Sequence, residues 1–298
     1  MKKRRTRCFS RFSALALALV AVMLGVACGS GQSLPPTLAV EAADFSFNLP
    51  ASIQGGLTRI ELTNVGQEPH HMQILRLNDG VSQEQFQTIL QGVIEAMSTE
   101  GEAAISGIFQ AGTAAGGPAS VVPGDETTVV LDLIPGQYAL LCFIASADGV
   151  PHFAKGMAST IEVTAAPESA SIEPEEDATV TLNDFAFVGV PATLPAGVST
   201  LKIVNAGQED HEMTLLRLDG VTMKQAVERL MTPQDQRPPG PRPFEFAGGF
   251  QAILPGQSGW SILDLEPGEY GLVCFVPSAA NGFAPHFALG MFGSFTVK

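Results

Sequence analysis

The sequence predicts an all-β protein made of two tandem β-sandwiches, each with one helical insertion. Short apolar or alternating runs such as Thr128–Leu133 (TVVLDL) and Ser199–Val204 (STLKIV) are bounded by Pro-Gly and Asn-x-Gly turns, the pattern of antiparallel strands. The two halves repeat each other in order. Each half also carries one stretch with helical rather than strand periodicity.

The repeat runs through the chain. Asp44–Phe47 (DFSF) matches Asp184–Phe187 (DFAF), and Arg59–His70 matches Lys202–His211 around a shared Asn-x-Gly-Gln-Glu-x-His. Ile74–Leu77 (ILRL) matches Leu215–Leu218 (LLRL). Pro123-Gly124 and Pro255-Gly256 each precede a strand ending in Leu-Asp-Leu. A Pro-Gly-x-Tyr stretch follows, with Tyr138 in one half and Tyr270 in the other. The helical insertions are Ser82–Met97, with Ser82 as N-cap, and Thr222–Met231. Met97 and Met231 are expected to pack these helices.

The boundaries follow from composition. Residues 1–28 read as an export signal: a basic start, the apolar run Ala14–Leu24, then Leu24-Gly-Val-Ala-Cys28, which resembles a bacterial lipoprotein signal with Cys28 as the lipidated residue. Gly25 stands where that pattern prefers Leu. Residues 29–36 form a tether, 37–165 the first domain, 166–177 an acidic, Pro-containing linker and 178–298 the second domain. The protein is expected outside the cytoplasm, membrane-anchored through its N-terminal lipid, in the periplasm or on the outer face of the cell membrane. Six of the sixteen basic residues lie in the first eleven positions, so a cleaved chain carries −20 rather than −14. That charge excludes nucleic acid as a partner and favours basic-surfaced ones.

Histidine and cysteine usage is economical. All five histidines (His70, His71, His152, His211, His286) fall in repeated segments, and Cys142 and Cys274 occupy equivalent strand ends. Each half thus offers two His, one Cys and one Met: His70, Cys142, His152 and Met157, then His211, Cys274, His286 and Met291. Two imidazoles, a thiolate and a weak thioether form the ligand set of a blue copper site. A Cys142–Cys274 disulfide is not expected, because it would join equivalent interior positions of separate domains. His71 is expected to face solvent, Met72 and Met213 to pack the core, and the two tyrosines to serve structure, with hydrogen bonds across the sandwich.

At these residues each half resembles a cupredoxin, the family of plastocyanin and azurin. Asn64-x-Gly66-x-x-x-His70 and Asn205-x-Gly207-x-x-x-His211 resemble the first ligand segment. Pro135-Gly-x-Tyr-x-x-x-Cys142, Pro267-Gly-x-Tyr-x-x-x-Cys274, and the His-x-x-x-x-Met pairs 152/157 and 286/291 resemble the remainder. The resemblance implies Greek-key sandwiches, type 1 copper, one per domain or in one domain only, and electron transfer with redox partner proteins. Nine residues separate Cys142 from His152 and eleven separate Cys274 from His286, more than the family's usual two to four. A longer loop turning at Asp148-Gly149 and Asn281-Gly282 can return each His to its Cys. Looser loops suit the alternative of copper delivery, buffering or sensing without electron transfer; a metal-free interaction module would leave the ligand sets unexplained. No enzyme is expected, since the two-domain copper enzymes of similar layout need further histidines in His-x-His or His-Cys-His motifs.

Overall fold

A computed structural model describes residues 34–167, 171–233, 236 and 242–298. The export signal, Cys28 and most of the tether lie outside the described residues. In the first half the strands are β1 (Thr37–Ala43), β2 (Ser46–Asn48), β3 (Ser52–Gln54), β4 (Gly56–Asn64), β5 (Gln73–Leu77), β6 (Gly112–Ala114), β7 (Glu126–Leu133), β8 (Gly136–Leu141) and β9 (Ala158–Thr164). Helices α1 (Gln83–Glu100) and α2 (Ser106–Ala111) come between β5 and β6. In the second half come β10 (Ala178–Asn183), β11 (Ala186–Val188), β12 (Thr193–Leu194), β13 (Gly197–Asn205) and β14 (His211–Leu218). After helix α3 (Met223–Met231) follow β15 (Phe244–Ile253), β16 (Ser258–Leu265), β17 (Gly268–Val273), β18 (Pro277–Ser278), β19 (Ala284–Pro285) and β20 (Phe292–Val297).

Each half is a two-layer sandwich with the same strand order. One layer is β2-β1-β4-β7 in the first half and β11-β10-β13-β16 in the second. The other is β3-β9-β8-β5-β6, matched by β12-β20-β17-β14-β15. Strands with one wet face alternate: in β1 Leu38, Val40 and Ala42 are buried and the residues between them exposed. The ends of β8 and β17 are buried on both faces, because the helices cover the outer one. Phe86, Leu90 and Val93 of α1 pack with Leu75, Leu77, Ala139 and Leu141. Met223, Ala226 and Val227 of α3 pack with Leu216 and Val273. Both helices start on a capping box, Ser82 with Gln85 and Thr222 with Gln225. Helix α2 has no counterpart in the sequence reading. Met97 of α1 is partly buried against the cluster beneath the helix, but Met231, expected to pack α3, is exposed at that helix's last position.

The halves are not merely tethered. β7 pairs antiparallel with β16, joining the two four-stranded layers into one eight-stranded sheet. Residues 115–121 lie between β5 and β15, hydrogen-bonded to the first half (His70 N to Val121 O, 3.1 Å) and to the second (Gly116 N to Ala252 O, 2.8 Å). One apolar cluster consequently contains residues of both halves, from Met72 and Val129 to Phe250 and Ile253. Each tyrosine hydroxyl donates to the short turn that carries the chain from one layer to the other just before it, Tyr138 to Ile134 O (2.8 Å) and Tyr270 to Glu266 O (3.1 Å), rather than to a strand of the facing sheet. The short turn places that carbonyl closer than any partner on the facing sheet.

Candidate metal centres

His70, Cys142 and His152 converge at one end of the first sandwich, and His211, Cys274 and His286 at the same end of the second. Within each trio the potential ligand atoms lie within 4.8 Å of one another, and all six side chains are fully buried. Both cysteines are free.

The first histidine is set by a loop that the Asn-x-Gly motif builds. Asn64 donates from Nδ2 to Glu68 O (2.9 Å) and Val121 O (3.0 Å), and its Oδ1 accepts from Gly66 N (2.9 Å). Asn205 does the same with Glu209 O, Ile253 O and Gly207 N. The cysteine arrives at the end of β8 or β17. The long Cys-to-His loop then folds back: His152 N donates to Ile144 O (2.8 Å) and Phe153 N to Cys142 O (2.9 Å). In the second half the ribbon β18–β19 takes up the two extra residues, and His286 N donates to Val276 O (2.9 Å). The loops turn at Gly149 (φ 81°) and Gly282 (φ 66°), as the turn signals predict. Met157 and Met291 are fully buried, and their carbonyls accept from Cys142 N (3.2 Å) and Cys274 N (3.3 Å).

Carboxylates fix the rings. His70 Nε2 lies 2.7 Å from Asp44 Oδ1 and His152 Nε2 3.1 Å from Glu68 Oε2. In the second half His211 Nε2 lies 3.0 Å from Asp184 Oδ1 and His286 Nε2 3.2 Å from Glu209 Oε2. An ionised carboxylate only accepts, so each Nε2 carries the proton and each Nδ1 of a neutral ring is left with a bare lone pair. Burial lowers the pKa of His70, His152 and His286, despite the opposing pull of those carboxylates, and keeps the rings neutral. The two Nδ1 atoms then face each other at 3.1 Å in the first site and 2.9 Å in the second, with Sγ 3.4 Å from the second histidine's Nδ1 in both. Two imidazole Nδ1 atoms and a sulfur converging at this separation form a donor set that fits a soft or borderline metal ion. Burial pushes the Cys142 thiol up to about 12 and the Cys274 thiol well above its ordinary value. Without metal both are thiols, and a bound cation displaces the proton.

The Asp-Phe pairs of the repeat now have a role that sequence reasoning missed. Burial works to raise the Asp44 and Asp184 carboxyls, but backbone N–H groups of Gln67 and Gln208 and the histidines outweigh it and lower both. The phenylalanine after each aspartate packs on the other histidine, Phe45 on His152 and Phe185 on His286, at ring separations of 4.7 and 5.1 Å. Glu68 and Glu209 were likewise missed. The available signal was their presence in both copies of Asn-x-Gly-Gln-Glu-x-His.

His71 corrects an expectation. It is buried, not solvent-facing, because it lies under Phe143 with its Nε2 accepting the Phe143 N–H at 2.8 Å. Burial lowers its pKa to about 3. Its counterpart Glu212 accepts the Phe275 N–H at 2.9 Å, and burial raises its pKa to about 7. Met72 and Met213 are core residues, as expected.

No protein-family model and no curated protein matches the chain in sequence. Among solved structures, a multicopper oxidase is similar at 16% identity over 88% of this chain and 88% of its own, with a TM-score of 0.25. Auracyanin A, described as a blue copper protein from Chloroflexus aurantiacus, is 13% identical over 44% of this chain and 99% of its own, with a TM-score of 0.29. Auracyanin from Roseiflexus castenholzii is 16% identical over 46% of this chain and all of its own, with a TM-score of 0.28. Likenesses this distant assign no activity; the ligand geometry within the chain carries the functional reading.

Proposed function

We propose that the protein is an exported, lipid-anchored copper protein with one type 1-like centre in each half, serving electron transfer. One observation carries the copper reading: two buried His-Cys-His trios, each with both imidazole Nε2 atoms engaged by carboxylates, the two Nδ1 atoms facing each other and the second histidine's Nδ1 next to the thiol. His70, Cys142 and His152 would hold the first ion, and His211, Cys274 and His286 the second. Met157 and Met291, buried and hydrogen-bonded through their carbonyls to the cysteine N–H groups, would offer a weak thioether ligand to each ion. Copper there supplies a one-electron Cu(I)/Cu(II) couple.

The chain's own part is to hold the ligands still and dry. The aspartates and glutamates orient the imidazoles, Phe45 and Phe185 cover the second histidine, and complete burial of the ligand side chains excludes bulk water. Little then has to move when charge changes at the site, which favours an electron carrier over a protein that hands its metal on. The lipid anchor at Cys28, the extracytoplasmic location and basic-surfaced redox partners belong to the same proposal, resting on the sequence and its charge.

The test is reconstitution of the mature chain with Cu(II), counting bound copper and recording visible absorption and cyclic reduction and reoxidation. Two coppers per chain are expected, with intense thiolate charge-transfer absorption that halves in Cys142→Ser and in Cys274→Ser. Stoichiometric binding with exchange to a chelator faster than redox cycling would favour delivery or buffering. Absence of bound copper would sink the metal reading.

A further inference from the structure

Four carboxylates bond the imidazoles of the two trios, and they fall into two pairs. Asp44 and Asp184 also accept backbone N–H groups of the loops beneath them, Gln67 and Gln208 at 2.8 Å. Glu68 and Glu209 instead reach across from the first-histidine loop to the second histidine, 84 and 77 residues further along the chain. Both glutamate side chains are about a third exposed while the imidazoles they hold are fully buried. Each therefore lies between the outer edge of its ring and solvent. Ser278 donates to Glu209 Oε1 at 2.9 Å, bracing that carboxylate against His286.

We propose that Glu68 and Glu209 are positioning residues of the two centres: each locks the second histidine in its Nε2–H tautomer and places a negative charge on the ring's outer edge, so that the site favours Cu(II) over Cu(I). The inference rests on the copper reading above. A ring whose Nε2–H is held by a carboxylate is a stronger Nδ1 donor, and donor strength stabilises the higher charge of the oxidised ion. The uncompensated carboxylate charge acts in the same direction through the partly desolvated edge. A decorative surface ion pair would involve an exposed partner and would have no reason to recur at both sites. Here the partner nitrogen is buried and the geometry repeats within 0.1 Å, at 3.1 and 3.2 Å.

The variants separate orientation from charge. Glu68→Gln keeps an acceptor oxygen and loses the charge; Glu68→Ala loses both. In full-length protein carrying Cys274→Ser, so that only the first centre loads, Glu68→Gln is expected to raise the Cu(I):Cu(II) ratio at fixed ambient potential about tenfold, equivalent to about 59 mV for one electron. Glu68→Ala is expected to weaken Cu(II) binding about 10–100-fold. Glu209→Gln in Cys142→Ser repeats the measurement at the second centre. In metal-free protein, 15N NMR is expected to show His152 as the Nε2–H tautomer, lost to a mixture in Glu68→Ala. A copper ratio unchanged within about twofold in both glutamine variants overturns the charge role. An unchanged tautomer in Glu68→Ala overturns the positioning role. The NMR arm needs no copper, so a protein that never binds the metal fails the functional reading alone.

Discussion

Gly66 shows how tightly a single position is specified. A methyl group there would lie 2.6 Å from His70 Nε2 and collide with Asp44 Oδ1, and at Gly207 it would lie 2.6 Å from His211 Nε2. The glycine is required by the close approach of the Asp–His pair to the loop backbone. Neither glycine has a positive φ, so conformational freedom is not the reason. Gly66→Ala must push Asp44 off His70, freeing the ring to rotate or change tautomer. We expect copper affinity at the first centre to fall about 10–100-fold, the usual cost of losing a partner behind a metal-binding histidine. Titration of the Cys274→Ser background with and without Gly66→Ala checks this; unchanged affinity would show that the aspartate bond is dispensable. The Asn-x-Gly-x-x-x-His motif could be read from the sequence, but its mechanics could not. Asn64 looks like a turn residue, and only the fold shows its amide bridging Glu68 O and Val121 O.

At the scale of elements, the Cys-to-His loops carry much of what is particular to this chain. The first is a small hairpin: Ser146 N donates to Val150 O (3.1 Å), Gly149 N to Ser146 O (2.9 Å), and Lys155 pairs with Asp148 at 2.8 Å. Gly149 sits at φ 81° with open space around its missing Cβ. Gly149→Ala should therefore cost about 1–2 kcal/mol of backbone strain while leaving the ligand atoms in place. Thermal unfolding should show the loss, and the copper spectrum should keep its shape; a changed spectrum would mean the loop tip controls the site. Helix starts were legible because Ser82 and Thr222 carry a complete capping box in four residues. Helix α2 was not: its Gly/Ala-rich surroundings lack periodicity, and what holds it is Ile108 and Ala111 packing into the cluster beneath α1. His71 was misread for a related reason. Strand alternation sends it away from His70, but that face is covered by Phe143 rather than water.

At the scale of the molecule, the two halves meet as two subunits of a symmetric dimer would. Gly116 N donates to Ala252 O and Gly248 N to Ser120 O, both at 2.8 Å, and Pro118 bridges Phe250. Gly116-Gly117 and Gly248-Gly249 hold the same place ahead of Pro123-Gly124 and Pro255-Gly256. The contact is thus self-complementary in the manner of an isologous interface. The repeat was visible in the sequence; its pairing was not, since an unpaired strand edge looks the same in sequence whether solvent or another strand covers it. Symmetry breaks at Gln73, whose counterpart is Thr214. The buried Gln73 amide donates to Ala252 O and accepts from Ala252 N, both at 3.0 Å, tying β5 to β15 across the boundary. Replacing it with leucine strands the buried Ala252 N–H, while Ala252 O keeps the Gly116 N–H, at a cost of about 1–3 kcal/mol. Because the sheets and the apolar cluster run through both halves, that cost should not be confined to the first. Calorimetry of Gln73→Leu should show one unfolding transition at lower temperature, with both copper signals lost together. Two separated transitions would mean that the halves are independent domains and that the shared sheets add little.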